Sequence, residues 1–230
     1  MKKLVILSGA GVSAESGIRT FRDSDGLWDN YNVADVASIE GWYRNRKLVL
    51  EFYNMQRANL ADKEPNLAHR LIAGLEKDFD VTVVTQNIDN LHEKAGSTKV
   101  IHLHGESTKI YPDGADYDEG VIDVGYKPVN LGDCDPKGRQ YRPHIVWFGE
   151  AVPRYDDACR EALKADIMLV IGTSMQVYPA AGLVHYAPAG IPMFLIDPKP
   201  IETGLANCRQ ITAPATKGME QLVEILKDLK

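Results

Sequence analysis

Two histidines stand two residues apart in the segment VIHLHGE, residues 100–106. On a strand His102 and His104 would point to the same face, because side chains alternate along a strand. Gly105 is expected to end the strand, which would place His104 at the mouth of a site. A histidine there can act as a general base near neutral pH. For His102 a structural role in the strand explains the residue equally well.

A second group of polar residues follows an apolar run in the segment TVVTQNID, residues 82–89. Thr85, Gln86, Asn87 and Asp89 surround a single isoleucine, Ile88. Polar side chains at the carboxyl end of a strand are placed to meet a ligand. Capping of a following helix by Asn87 or Asp89 would explain one of these four residues, but not all of them.

A glycine turn follows the first apolar run of the chain. Gly9, Gly11 and Ala14 form a G-x-G-x-x-A pattern, which lets the backbone approach a pyrophosphate and offers amide groups to its charge. A plain tight turn is the alternative. A dinucleotide-binding dehydrogenase also needs an acidic residue ~20 positions later, at the end of a strand. Asp29 has this spacing, but its neighbours do not predict a strand, which argues against a dehydrogenase.

The elements that must position these residues alternate between strands and helices. Short apolar runs predict buried strands at residues 4–7, 81–84, 100–103, 167–171 and 193–196. Helical patterns lie at residues 48–60, 66–75, 156–163 and 218–229. The alternation predicts an α/β fold, a Rossmann-like doubly wound parallel sheet whose strand-to-helix loops meet at one edge.

Two stretches break the alternation, at about residues 29–80 and 107–142. The first is mostly helical and the second reads as loops with short strands at best. We expect both to be insertions that form a smaller module. The chain would then be one domain, 1–230, with its core at about 1–28, 81–106 and 143–230.

Composition limits the classes of function. The 26 Lys and Arg residues against 32 Asp and Glu give a net charge of -6, which argues against a broad nucleic-acid-binding face. No stretch reaches the ~18 apolar residues of a membrane helix, and the first apolar run is too short for a signal peptide. Cys134, Cys159 and Cys208 are widely spaced and odd in number, which favours a reducing compartment. We expect a cytoplasmic monomer with no membrane or direct nucleic-acid partner.

Five motifs occur together and in a fixed order: GAGVSAESGIRTFR, TQNID, the His-Gly of HLHGE, PHIVWFGE and GTS. Jointly they resemble the sirtuin family of NAD-dependent protein deacylases, over nearly the whole chain. SAESGIRTFR and FYNMQR are most similar to the branch associated with acidic acyl groups. The resemblance implies a protein-lysine deacylase that consumes NAD as co-substrate and releases nicotinamide and O-acyl-ADP-ribose. Acyl-lysine peptides of substrate proteins would be its partners.

The resemblance also assigns roles to residues. His104 would act as general base on the ribose hydroxyls, and Asn87 would orient the ribose and the attacking water. The segment after the glycine turn would be a mobile loop that closes over NAD. The residues that match NAD-binding positions of the family are Gly9, Ala10, Gly11, Ser13, Glu15, Phe21, Arg22, Trp28, Gln86, Asn87, Ile88, Asp89, Gly172, Thr173, Ser174, Asp197 and Ala215.

The segment IVWFGE resembles the family's substrate-binding segment, where an extended backbone can pair with a target peptide as an added strand. Trp147 by itself is explained as a buried aromatic residue. The residues assigned to substrate are Tyr53, Gln56, Val146, Phe148, Gly149 and Glu150. A sirtuin-like NAD hydrolase or ADP-ribosyltransferase would use the same pocket, as would a non-catalytic NAD sensor. The segment PHIVWFGE favours deacylation over NAD hydrolysis or ADP-ribosyl transfer. The presence of both His104 and Asn87 argues against a non-catalytic sensor.

Two departures from the family pattern lead to further expectations. Most sirtuins bind zinc through two Cys-x-x-Cys pairs, whereas residues 107–142 contain Cys134 and no histidine. We therefore expect a zinc-independent protein with no metal site. Ligation by carboxylates such as Asp133 and Asp135 is the alternative. The small module would instead be held by packing around Ile110, Tyr111, Tyr117 and Tyr126.

The second departure concerns the acyl group. In the branch that removes succinyl or malonyl groups, a Tyr and an Arg three residues later bind the acyl carboxylate. Tyr53 matches the Tyr, but Gln56 stands at the Arg position and Arg57 follows it. Adjacent helical residues point about 100° apart, so Arg57 does not simply replace the missing guanidinium. Loss of the charge-assisted pair costs roughly 1.5–3 kcal/mol. Deacetylation is therefore expected first, with desuccinylation or demalonylation weaker.

Overall fold

The structure is a computed structural model that describes residues 1–18, 31–205 and 207–230. Its strands, in chain order, are β1 (Lys3–Ser8), β2 (Asp80–Thr85), β3 (Val100–His102), β4 (Gly105–Pro112), β5 (Ile122–Asp123), β6 (Tyr141–Ile145), β7 (Ile167–Ile171), β8 (Met193–Asp197) and β9 (Cys208–Thr212). Its α-helices are α1 (Val33–Val36), α2 (Ile39–Arg44), α3 (Arg46–Leu60), α4 (Leu67–Gly74), α5 (Leu91–Ala95), α6 (Tyr155–Ala162) and α7 (Ala215–Lys227).

Six strands form a parallel sheet in the order β3-β2-β1-β7-β8-β9. The predicted α/β fold and its five strands are confirmed, but β3, at the sheet edge, is only partly buried. β1 and β7 are central, and every residue of both strands is buried, which explains their continuous apolar runs. The strand order reverses between β1 and β7, and ligands of such sheets bind in the crevice at that point.

Helices cover both faces of the sheet. Leu4 and Ile6 of β1 lie in a cluster with residues of α4 and α7, whereas Val5 and Leu7 lie in a second cluster with residues of α6. In α7 the buried residues recur at the spacing of one helix face; they are Ala215, Gly218, Met219, Leu222 and Leu226. Among the helices of the described ranges, none is long and apolar enough to cross a membrane.

A smaller sheet stands beside the large one, with antiparallel strands in the order β5-β4-β6. Its apolar cluster is shared with α2 and α3 and includes Trp42, Phe52, Ile110, Ile145 and Trp147. The expectation of loops with short strands at best is wrong for β4, which has eight residues because it pairs with strands on both sides. The proposed boundaries of the insertions remain predictions; α4, inside the first one, packs on the large sheet.

The expectation that His102 and His104 share one strand is also wrong. β3 ends at His102, a bend follows, and Gly105 begins β4 instead of ending a strand. Gly105 has φ +83°, and a Cβ there would collide with the His144 carbonyl. His104 therefore lies in the two-residue crossing between the two sheets.

Candidate active site

The predicted site lies at the reversal point of the sheet, where the loops after β1 and β7 are in direct contact. Gly9 N donates to Ile171 O at 3.0 Å, and Gly11 N donates to Gly172 O at 2.8 Å. A Cβ on Gly9 would lie 2.7 Å from Thr173 Cβ, and one on Gly11 would lie 2.7 Å from Gly172 Cα. The glycines are thus required by the packing of the two loops on each other.

This packing changes the interpretation of the G-x-G pattern. The amides of Gly9 and Gly11, expected to face a pyrophosphate, already have carbonyl acceptors. The amides of Val12 and Ser13 bond to Gly9 O and Ala10 O within the turn. Within residues 1–18, 31–205 and 207–230, no backbone acceptor is found for the amide of Ala10, so this amide can be offered to an anion.

Beneath the turn lies a buried hydrogen-bond network centred on Ser13. The Ser13 hydroxyl donates to Asp89 Oδ2 at 3.0 Å and accepts from Asn87 Nδ2 at 3.2 Å. His69 Nε2 lies 3.4 Å from the same hydroxyl oxygen. Burial raises the pKa of the Asp89 carboxyl, and its bonds from Leu91 N and Ser13 oppose that rise. Asp89 also accepts from Leu91 N at 3.1 Å, so the expected helix-start role and a role in the site coincide.

Two further histidines belong to this network, and no sequence pattern pointed to them. The rings of His69 and His92 meet edge to face at 4.9 Å, and His92 Nε2 lies 3.0 Å from Ser8 Oγ. Burial lowers the pKa of His69 to about 4 and holds the pKa of His92 well below its usual value. Both rings are therefore neutral at pH 7. They lie on α4 and α5, and their proximity depends on tertiary packing.

His104 has the geometry of a neutral base. Its Nδ1 lies 3.0 Å from Gln86 O, and because a carbonyl only accepts, Nδ1 carries the proton. Burial lowers the pKa of His104, and the bond to the Gln86 carbonyl only partly opposes this. The ring is then neutral at pH 7, and Nε2 holds the lone pair that can accept a proton from a substrate.

The remaining cofactor candidates surround the same edge of the sheet. Gln86 Nε2 donates to Thr173 Oγ1 at 3.1 Å, which links the loops after β2 and β7. Asp197 ends β8, and its Oδ1 accepts from Lys199 N at 2.9 Å. The Glu15 carboxylate accepts from Thr216 N and Thr216 Oγ1 at 2.9 and 2.8 Å, so it caps the start of α7. Ile88, Gly172 and Ser174 lie in these loops and Ala215 begins α7, whereas Phe21, Arg22, Trp28 and Asp29 lie outside the described residues.

The segment assigned to substrate is anchored by one ion pair. Arg142 donates to Glu150 Oε1 and Oε2, each at 2.8 Å, and its guanidinium lies 3.7 Å from the centre of the Trp147 ring. Glu150 Oε2 also accepts from Trp147 N at 2.9 Å. Trp147 Nε1 donates to Tyr53 Oη at 2.9 Å. Trp147 is buried as expected, and Phe148 is 53% exposed.

The backbone of this segment is already largely paired. Val146 N donates to His104 O at 3.0 Å, and Phe148 N donates to Ala37 O at 2.9 Å. Together with Trp147 N, three successive amides are taken. A target peptide that adds as a strand must therefore use other groups, such as the carbonyl of Val146 and the amide of Gly149.

The helix that carries Tyr53 separates Gln56 from Arg57. Arg57 is fully buried, and its guanidinium donates to Ser107 O at 3.3 Å and to Asn54 Oδ1. Burial lowers the pKa of Arg57 to about 10. Gln56 is half-buried. Arg57 thus contacts the start of β4, which agrees with the expectation that it does not take the place of an arginine at position 56.

Potential metal donors are found together at one place in the described part of the chain. They are Glu93, His102 and Glu106. His102 Nε2 is hydrogen-bonded to Glu93, and Glu106 is paired with Lys109 at 2.7 Å, so these donors are engaged and we assign no metal to them. Cys134 is exposed, and the absence of zinc stays a prediction.

Comparison with known proteins gives relatives over the full length. An NAD-dependent protein deacylase of Bacteroides thetaiotaomicron is 52% identical, and the alignment covers 98% of both chains. A protein of the same description from Helicobacter pylori is 45% identical, with 100% of this chain and 99% of that protein covered.

Solved structures of Sir2 proteins have the same fold. A Sir2 homologue in complex with NAD superposes with a TM-score of 0.88 at 36% identity, covering 99% of this chain and 90% of that chain. A Sir2 protein with a deacetylated p53 peptide and 3′-O-acetyl-ADP-ribose superposes with a TM-score of 0.78 at 30% identity, covering 96% and 92%. The Sir2 family profile matches residues 9–179, which include the glycine turn, the TQNID loop and His104. The chain therefore belongs to the Sir2 family.

Proposed function

We propose that this chain is an NAD-dependent protein-lysine deacylase that releases nicotinamide and O-acyl-ADP-ribose. The observation that carries the proposal is the state of His104, a neutral imidazole whose Nδ1 is fixed by Gln86 O and whose Nε2 is free to accept a proton. Through Gln86, which donates to Thr173 Oγ1, His104 is linked to the loops at the reversal of the strand order, where the ligand crevice of such sheets lies. The relatives named as NAD-dependent protein deacylases support the assignment.

The crevice has donors and acceptors that suit NAD. The Ala10 amide suits a pyrophosphate oxygen. Thr173, in the loop after β7, and Asp197, the last residue of β8, suit ribose hydroxyls. NAD supplies a sugar carbon from which nicotinamide departs. The side chain of Asn87 would orient the ribose and a water, because Ser13 holds its amide nitrogen at 3.2 Å. His104 Nε2 would take the proton from a ribose hydroxyl as that oxygen attacks.

We further propose that uncharged acyl groups, acetyl above all, are the preferred substrates. Gln56 offers an amide instead of a guanidinium, and Arg57 is buried against Ser107 O. A succinyl carboxylate would therefore meet no counter-charge from this helix face. Tyr53 and the segment from Val146 to Glu150 would hold the lysine stem and the peptide backbone.

The test compares His104→Ala with the matched control His185→Ala, which removes an exposed histidine from another part of the chain. With NAD and an acetylated peptide, wild type and the control should form O-acetyl-ADP-ribose, and His104→Ala should lose about 10²–10⁴-fold in turnover. Isothermal titration should show NAD binding in all three. Nicotinamide release without acyl transfer would instead identify an NAD hydrolase or ADP-ribosyltransferase, and binding without turnover would identify a sensor.

Composition supports a set of coarser proposals. We propose a cytoplasmic monomer with no direct nucleic-acid partner and no bound zinc, because the chain is mildly acidic and residues 107–142 contain one cysteine. Elemental analysis of the purified protein tests the absence of zinc, and light scattering after size exclusion tests the monomeric state. Stoichiometric zinc or a stable dimer would refute them.

A further inference from the structure

The ring of His102 faces an acceptor at each nitrogen. Its Nδ1 lies 3.0 Å from Asn87 O, and its Nε2 lies 2.8 Å from Glu93 Oε1. A carbonyl and an ionised carboxylate can only accept hydrogen bonds, and a neutral imidazole carries a single N–H. Both contacts are satisfied together only when the ring is doubly protonated. The geometry thus requires an imidazolium at position 102.

The charges around this ring favour that state. Glu93 on α5 and Glu106 on β4 are acidic, and Lys109 on β4 pairs with Glu106 at 2.7 Å. Burial lowers the pKa of His102, but the bond and charge of Glu93, the charge of Glu106 and the Asn87 carbonyl together raise it above the usual value. Asp89 and His92 also interact with the charge of the His102 ring. His92 stays neutral because burial lowers its pKa.

The bond from His102 completes the fixation of Asn87. The Asn87 amide donates to Thr85 Oγ1 at 3.0 Å, and its side chain donates to Ser13 Oγ at 3.2 Å. The Asn87 carbonyl is held by His102 Nδ1. The backbone amide, the side chain and the carbonyl of one residue are therefore each tied to a different element, and only the tie to His102 depends on a proton.

We propose that His102, kept protonated by Glu93, is a positioning residue that holds Asn87 in place for the reaction. The proposal rests on the function proposed above, in which Asn87 orients the ribose and the water. His102 itself touches no reacting atom. Deprotonation leaves the ring a single N–H, which the Glu93 carboxylate retains as the stronger acceptor, so the bond to Asn87 O is lost as pH rises through the pKa of His102.

The two histidines of HLHGE would then set opposite limits of activity. His104 must be neutral to accept a proton, and its lowered pKa allows this at lower pH than for an ordinary histidine. His102 must be charged, and its raised pKa keeps the proton to higher pH than for an ordinary histidine. Turnover is expected to fall on the acid side through His104 and on the alkaline side through His102.

The kinetic test is Glu93→Gln, which keeps the shape and removes the charge that holds the proton. Its matched control is Glu76→Gln, where the carboxylate bonds to Thr98 N and Oγ1 in the segment before β3 and does not contact His102. The alkaline limit of kcat should move about one pH unit lower in Glu93→Gln. At the pH where wild type keeps half its activity, this gives a loss of roughly fivefold to tenfold, with KM for NAD little changed. A profile that superimposes on those of wild type and the control would overturn the proposal.

A second readout does not depend on deacylation. In protein with ¹³C-labelled histidine, the His102 signal is identified by its loss in His102→Gln and followed against pH. It should titrate above the usual 6.5 in wild type and lower in Glu93→Gln. The side-chain amide signal of Asn87 should shift with the same pKa. A His102 that titrates below 6.5, or an Asn87 signal that ignores the titration, would refute the positioning role even if the chain proved to have another activity.

Discussion

Replacing Glu150 by glutamine tests whether the Arg142–Glu150 pair anchors the substrate segment. The carboxylate accepts two bonds from Arg142 and one from Trp147 N. Glutamine retains a single acceptor oxygen and turns an NH2 group towards the guanidinium. Arg142, whose side chain is 4% exposed, would lose its counter-charge and one of its two carboxylate bonds, while its bond to Ile145 O and its contact with the indole ring remain.

The expected loss of stability in Glu150→Gln follows from how deeply the ion pair is buried. Breaking a fully buried ion pair by removing one partner costs about 3–5 kcal/mol, because a charge stays buried without its counter-charge. The Glu150 side chain is 21% exposed, so solvent screens part of this, and we expect a loss of about 2–3 kcal/mol in the free energy of unfolding. For a chain of this length the midpoint of thermal unfolding should fall by roughly 4–12 °C.

The assay combines thermal unfolding with steady-state kinetics. KM for the acetylated peptide should rise in Glu150→Gln, while the dissociation constant for NAD should stay close to that of wild type. Glu224→Gln is the matched control, since Glu224 pairs with Lys227 on the exposed face of α7 and its loss should cost less than about 1 kcal/mol. If the two variants unfold at the same temperature and bind peptide equally well, the anchoring argument is wrong.

Three further outcomes follow from the site and its surroundings. Gln56→Arg should raise kcat/KM for a succinyl-lysine peptide by about 10–150-fold, the equivalent of a charge-assisted bond of roughly 1.5–3 kcal/mol, and no gain would contradict the placement of that helix. Burial lowers the pKa of His69 to about 4, so the unfolded chain takes up a proton first as pH falls through 6.5. In urea unfolding, the loss of stability between pH 7 and pH 5 should therefore be about 2 kcal/mol smaller in His69→Gln than in wild type. Gly11→Ala should destabilise by about 1–3 kcal/mol because its Cβ meets Gly172 at 2.7 Å, whereas Gly74→Ala, in open space on α4, should stabilise slightly in the same unfolding assay.

The central strands could be read from the sequence because burial on both faces leaves a continuous apolar run. β1, β2, β7 and β8 are of this kind. β9 was missed because it lies at the sheet edge and is only partly buried, so its sequence CRQIT carries no such run. β4 was underestimated because its order depends on pairing with β5 and with the more distant β6, and neither pairing can be read from the residues of β4 itself.

Some residues of the candidate site could likewise be predicted from the sequence, and others could not. His104, Asn87 and Asp89 follow strand ends, where position along the chain and position at the sheet edge coincide. Ser8, His69 and His92 could not be found in this way, because they meet only when α4 and α5 pack at the end of β1. The state of His104 likewise depends on its bond to Gln86 O, a backbone contact that has no trace in residue types.

The bond from Val146 N to His104 O joins the residue assigned to proton transfer to the segment assigned to the peptide. A target whose lysine enters out of phase with this segment would strain that bond and displace the imidazole. Discrimination among target proteins would then be exercised in turnover more than in occupancy. Competition assays that measure peptide binding alone would therefore underestimate the selectivity of the enzyme. A peptide that binds tightly but does not react would act as an inhibitor.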